Sequence, residues 1–158
     1  MFQIAIPQPV EEILSALEAA GFPAVVVGGC VRDSLLGKTP HDWDVATAAR
    51  PEEMKQALSR FRLAEPGLRP GTLTVRNQGE AVETTTFRQD CSYGDSRHPD
   101  TVTFTRSLET DLSRRDFTVN AMAYSPKRGL VDLFGGQEDL QAKVLRCVGN
   151  PEQRFTED

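Results

Sequence analysis

A mixed α/β fold follows from three features of this 158-residue sequence. Ala24-Val25-Val26-Val27 is a short apolar run of the kind buried in a sheet. Leu73-Thr74-Val75 and Ala81-Val82-Glu83-Thr84-Thr85-Thr86-Phe87 are β-rich runs joined by Arg76-Asn77-Gln78-Gly79, which reads as a hairpin turn. Helical apolar spacing recurs before and between these strands. The expectation is a mixed or antiparallel sheet flanked by helices, in the α/β (α+β) class.

Taken in chain order, Val10, Ile13, Leu14 and Leu17 mark one face of an amphipathic helix over residues 10–20, closed by Gly21. The strand at 24–27 ends at Gly28-Gly29, where the backbone must turn sharply. Residues 30–36 have helical character and stop at Gly37. In Asp42-Trp43-Asp44-Val45 the alternation puts Trp43 and Val45 in the core and both acids on the open face. Pro51 opens a second helix with Glu52 and Glu53 near its positive end and Met54, Leu58 and Phe61 facing inward. Residues 88–104 are polar and turn-rich. Taken alone, Arg114-Arg115-Asp116 reads as the charged start of a helix with Val119, Met122 and Ala123 facing the core. There is no internal repeat and no low-complexity segment.

Composition narrows the class. The chain is 39% hydrophobic and 26% charged, ordinary for one domain with a real core. Cys30, Cys91 and Cys147 give no disulfide framework, which favours a reducing compartment, and no run approaches a membrane span. The expected location is cytoplasmic. The net charge of −5 divides into −4 over residues 1–59, +2 over 60–128 and −3 over 129–158, so only the middle is mildly basic. An RNA bound through these residues alone would call for a stronger basic stripe.

The chemistry is concentrated at two places. Gly28-Gly29 lets backbone N–H groups and a helix N-terminus approach a polyphosphate. Asp42 and Asp44, on one side of an extended segment, repel unless a cation sits between them, and carboxylate pairs of this kind share Mg²⁺. A dinucleotide-binding reading fails because the glycines lack G-x-G-x-x-G spacing and the acids would be unexplained. His41 and His98 have no second imidazole at ligand spacing, so a histidine zinc site is not expected.

Together these stretches resemble the class II tRNA nucleotidyltransferase and poly(A) polymerase family. The resemblance rests on Gly28-Gly29-Cys30-Val31-Arg32-Asp33, Asp42-Trp43-Asp44-Val45-Ala46-Thr47, Arg114 to Ala123 (RRDFTVNAMA), Leu130 to Gly136, and Arg154 to Asp158 at the start of a base-selecting motif. It implies a polymerase-beta-like catalytic head over residues 1–150, with 151–158 beginning a neck region. By that resemblance Asp42 and Asp44 are the catalytic metal ligands, Glu83 is a third carboxylate, and two Mg²⁺ ions serve as cofactors. Gly28, Gly29, Arg32, Arg115, Asp116, Asn120 and Asp158 are the implied nucleotide contacts, with Asp33 ordering Arg32.

The implied reaction adds CMP and AMP, from CTP and ATP, to the 3′ end of tRNA, with most of the tRNA held outside this sequence. Poly(A) polymerase and A-only adding enzymes carry the same motifs and stay open as alternatives. A non-catalytic RNA-binding module is opposed by the intact acids. The 88–104 segment resembles the family's flexible loop, with Cys91 and His98 as departures and Pro70 as a third. With Asp158 present but the following arginines of the base-selecting motif absent, the expectation is a head that does not add C-C-A faithfully by itself.

Overall fold

The structure is a computed structural model that describes residues 3–65, 70–89 and 103–148, and the backbone of 152–154. Helix α1 (Gln8–Ala19) buries Val10, Ile13, Leu14 and Leu17, the four positions that the apolar spacing selects. Strand β1 (Ala24–Val27) is buried throughout, α2 (Gly29–Leu35) follows it directly, and β2 (Asp44–Thr47) runs back beside it. Helix α3 (Pro51–Ala57) then leads to β3 (Arg62–Ala64).

The hairpin consists of β4 (Thr72–Asn77) and β5 (Glu80–Thr86). Its turn is tighter than the four-residue reading: Arg76 and Asn77 belong to β4, and only Gln78 and Gly79 turn, both at positive φ (53° and 85°). Two left-handed residues match the right-handed twist of the flanking strands. Short strands β6 (Arg88–Gln89) and β7 (Thr103–Phe104) pair with each other, followed by α4 (Leu108–Ser113) and a 3₁₀ turn at Thr118–Asn120. The chain continues through β8 (Met122–Ser125), β9 (Gly129–Asp132), α5 (Gly136–Ala142), β10 (Val144–Arg146) and β11 (Glu152–Arg154).

Among the described residues seven strands form one sheet in the order β3-β4-β5-β2-β1-β8-β9. Every neighbouring pair is antiparallel except β2 and β5, which run parallel at its centre. The sheet is therefore mixed, as the hairpin and the helix-spaced segments imply. Alternation along β1 divides the core in two. Ala24 and Val26 pack with Ile13, Leu17, Val31, Met54 and Leu58 beneath α1, α2 and α3. Val25 and Val27 join Ala46, Ala48, Phe87, Leu112 and Ala123 on the opposite face, where α4 is the covering helix.

One local reading is corrected. Arg114-Arg115-Asp116 follows a helix instead of starting one: Ser107 caps α4 by accepting from the Thr110 N–H at 3.1 Å, and Arg114 stands at the helix's C-terminal end. The Ser107 cap and the Leu108/Leu112 spacing, which faces the core, set the helix one segment earlier. Met122 and Ala123 are buried as expected, but on strand β8. Among the described residues no helix is long and apolar enough to cross a membrane.

Candidate active site

β1 delivers the chain to Gly28, whose φ of 87° and ψ of −138° lie outside the range of ordinary side-chain-bearing residues. Its N–H donates to the Met122 carbonyl at 3.2 Å, which ties the turn to β8. Gly29 begins α2. A Cβ on Gly29 would stand 3.2 Å from Nη2 of Arg32, and one on Gly28 would stand 3.8 Å from Nη1 of Arg115. The bare backbone is thus overlaid by two guanidinium groups, an arrangement that any side chain on Gly29 would crowd.

Arg32 is fixed from two sides. Its Nε donates to Asp33 at 3.1 Å and its Nη1 to the Asn120 side-chain oxygen at 2.8 Å. These bonds lock a long side chain across the mouth of the turn, and they join two segments separated by most of the chain. Arg32, Asp33 and Asn120 therefore act as one unit.

Asp44 is the first residue of β2, and Trp43 and Val45 on either side are 7% and 1% exposed while both acids are exposed. Across the parallel pair, Asp44 is in register with Glu83. Their alternation puts both on the face that carries Ala46, Thr85 and Phe87. Glu83 is half-buried on an interior strand, with β2 on one side and β4 on the other. Asp42 is exposed two residues before β2 begins.

Opposite these acids stands a cluster that the sequence reading missed. Asp111, on α4, is 1% exposed. Its Oδ1 accepts from the Arg88 backbone N–H at 2.9 Å and from Arg114 Nη2 at 3.4 Å, and its Oδ2 accepts from Arg115 Nη2 at 3.1 Å. An acid three and four residues before two arginines was the available signal, because those offsets share a helix face. Arg88 adds a further cation, its Nη2 donating to the Pro70 carbonyl at 2.9 Å.

Two clefts meet here. One, of about 230 Å³, is lined by Asp44, Glu83, Thr72, Thr85 and Arg88 together with Arg114 and Arg115. The other, of about 300 Å³, is lined by Gly28, Gly29, Asp116 and Asn120 and shares Asp44, Arg114 and Arg115 with the first. Carboxylates and guanidinium groups lining the same clefts are the charge pattern that a metal-bound polyphosphate requires.

Of the sequence-selected residues, Gly28, Gly29, Asp44, Glu83, Arg115, Asp116 and Asn120 line these two clefts, and Arg32 reaches them through Asn120. Asp42 lines neither of them. Asp158 and residues 90–102, with Cys91 and His98, lie outside the described residues.

Under the floor, the Cys30 thiol donates to the Val27 carbonyl at 3.4 Å. Burial pushes it up to about 11, against the smaller opposing effect of a hydrogen bond from the Asp44 backbone. Cys30 is therefore a protonated packing group at neutral pH. Among the described residues no three of His, Cys, Asp and Glu stand together as a group that could hold a metal ion. Asp44 and Glu83 bring two carboxylates to one cleft, and carboxylate oxygens are the donors that a divalent cation takes together with water and phosphate oxygens.

Residues 24–146 match the Poly A polymerase head domain family, which is most of the chain. The chain belongs to that family. Relatives of the head domain include the CCA-adding enzyme of Lactiplantibacillus plantarum, 48% identical over 151 residues that make up 96% of this chain and 37% of the relative. The CCA-adding enzyme of Leuconostoc mesenteroides is 51% identical over 148 residues, 94% of this chain and 36% of the relative. The chain thus spans little more than a third of the length of these relatives.

Among solved structures, the Bacillus stearothermophilus CCA-adding enzyme in complex with CTP matches with a TM-score of 0.77 and 41% identity, covering 90% of this chain and 33% of that one. The Thermotoga maritima CCA-adding enzyme complexed with tRNA matches with a TM-score of 0.67 and 26% identity, again over 90% and 33%. The mixed sheet flanked by helices is the architecture of these heads.

Proposed function

We propose that this head catalyses metal-dependent nucleotidyl transfer, adding CMP and AMP from CTP and ATP to the 3′ end of tRNA within a CCA-adding enzyme. The observation that carries the reading is the register of Asp44 with Glu83, facing Arg114 and Arg115 across one cleft. The names of the relatives support the substrate class. Residues 1–150 form the catalytic head in this reading and 151–158 open the base-selecting region, where Asp158 presents a hydrogen-bonding edge.

Asp44, Glu83 and Asp42 would hold the divalent ions, taken as two Mg²⁺. When bound, such ions acidify an attacking hydroxyl and offset charge on departing pyrophosphate. The chain's own groups position the reactants. Arg114 and Arg115 offer forked donors to phosphate oxygens, and the Gly28-Gly29 turn brings backbone and guanidinium groups close to them. Arg32, anchored by Asp33 and Asn120, closes the same side. Asp116, exposed at the rim, accepts from a ribose hydroxyl and so favours ribonucleotides. Alignment of the 3′-hydroxyl on the α-phosphate and fixed charge supply most of the acceleration.

The test is incorporation of labelled CTP and ATP into tRNA lacking its CCA end, using the gene product that carries this sequence. Ordered C-C-A addition is expected. A homopolymeric A tail would favour poly(A) polymerase, the alternative that the family's description leaves open. No incorporation of either nucleotide would remove the catalytic reading.

A further inference from the structure

We infer that Asp111 is a positioning residue for nucleotide phosphate, a buried carboxylate that holds Arg114 and Arg115 against the cleft. This rests on the reading of that cleft as a triphosphate site. The geometry is that of a clamp: one carboxylate, 1% exposed, takes Arg114 on one oxygen and Arg115 on the other. The oxygen that takes Arg114 also accepts the Arg88 backbone N–H, so the carboxylate fixes the start of β6 as well.

Its place in the first turn of α4 suits a negative charge but does not require a buried one, and a buried carboxylate is costly unless it is paired. Two guanidinium groups satisfy the carboxylate but exceed its charge by one, which leaves a net positive pair facing Asp44 and Glu83 across the cleft. Each arginine gives the carboxylate only its Nη2 and still lines the cleft. Phosphate oxygens are acceptors of the matching charge.

The benefit is preorganisation. Free arginine side chains lose rotamer freedom when they bind a ligand, and a carboxylate that has already fixed them removes that loss from the binding step. A residue that served only the fold would weaken all ligands alike. A clamp weakens ligands in proportion to the phosphates they carry.

The experiment is calorimetry with CTP and with CMP, each with Mg²⁺, on the full gene product and its Asp111→Asn, Arg115→Ala and doubly substituted variants, with melting temperatures recorded. Asp111→Asn should weaken CTP by about tenfold and CMP by no more than about twofold, because the lost interaction is a charge-assisted grip on the phosphate-binding arginines. In the double variant the losses should be less than additive. Equal weakening of CTP and CMP, or additive losses, would overturn the inference.

A second arm leaves Asp111 intact, so a folding failure of Asp111→Asn does not end the test. Arg114→Ala and Arg115→Ala, sharing one anchor, should show coupled losses of CTP affinity, and independent losses would count against the clamp. Should Arg115→Ala bind CTP as the wild type does, the phosphate reading of the cleft fails with the inference. Should it lose affinity while Asp111→Asn does not, only the positioning role fails.

Discussion

On one face of the sheet Val26, Val45, Val75 and Met122 meet three helices and are closed off from water. On the other, Val25, Val27, Ala46 and Ala123 meet the short helix α4 with Val131 and Phe134, and the strands run out into Asp44 and Glu83. Both faces come from the same strands through alternation alone, yet the first carries the larger buried cluster, while the second sets Ala46, Ala48 and Ala123 beside Phe87 and Leu112. Large residues bury more apolar area and carry the stability, at about 1.5–3 kcal/mol for each Val, Leu, Ile or Met fully buried. Small ones leave space in which charged groups face each other. Stability and chemistry should therefore be separable by face.

The largest effect that would break this comparison is at the acids. Asp44→Asn or Asp42→Asn in the full gene product should lower incorporation of labelled CTP by about 10³-fold, roughly 4 kcal/mol of barrier. The melting temperature should move by only a few degrees, since both acids are exposed. Normal incorporation would end the assignment of these acids, and a collapse in melting temperature would mean that the open face also carries the fold.

The converse substitution lies on the closed face. Leu17 on α1 is fully buried, so Leu17→Ala should cost about 2–5 kcal/mol in a urea unfolding curve while the folded protein keeps its CTP affinity. A parallel loss of affinity would show that the two faces are coupled.

Cys30 lies at the seam, in the closed-face core but beside Asp44. Its thiol holds its proton up to about 11 in the folded state against the usual 9.0, so the unfolded chain ionises first as pH rises. The contribution is complete below the lower value and lost across the window up to the higher one. It amounts to about 2–3 kcal/mol. Chemical unfolding at several pH values through that window should show a steeper decline for the wild type than for Cys30→Ala, and equal slopes would place the thiol in water.

The smallest effect sharpens the boundary. Gly29→Val puts a Cβ 3.2 Å from Nη2 of Arg32, so the guanidinium that Asn120 holds at Nη1 must give by a few tenths of an ångström. Affinity for ATP with Mg²⁺ should fall by about tenfold, about 1.4 kcal/mol, by titration calorimetry. The melting temperature should move by only a few degrees. Equal affinities would leave the glycine with a role in the fold alone.

The sequence by itself determined the local pattern. The spacing of Val10, Ile13, Leu14 and Leu17, the apolar run of β1, the existence of a hairpin turn ending at Gly79 and the burial of Trp43 and Val45 around exposed acids are all matters of period and backbone preference, which neighbouring residues carry. So is the placement of Gly28 at positive φ. The motifs also pointed to Asp44, Glu83 and Arg115 as one chemical group.

Only the tertiary structure decided which strands lie side by side. The parallel pairing of β2 with β5 makes Glu83 a register partner of Asp44, and that pairing joins segments about forty residues apart without any turn between them to announce it. It also moved Arg114 and Arg115 to the end of a helix and set Asp111 beneath them. Single residues such as Asp111 look like ordinary helix surface in a sequence, because burial and partners are properties of the assembled core, where distant segments meet.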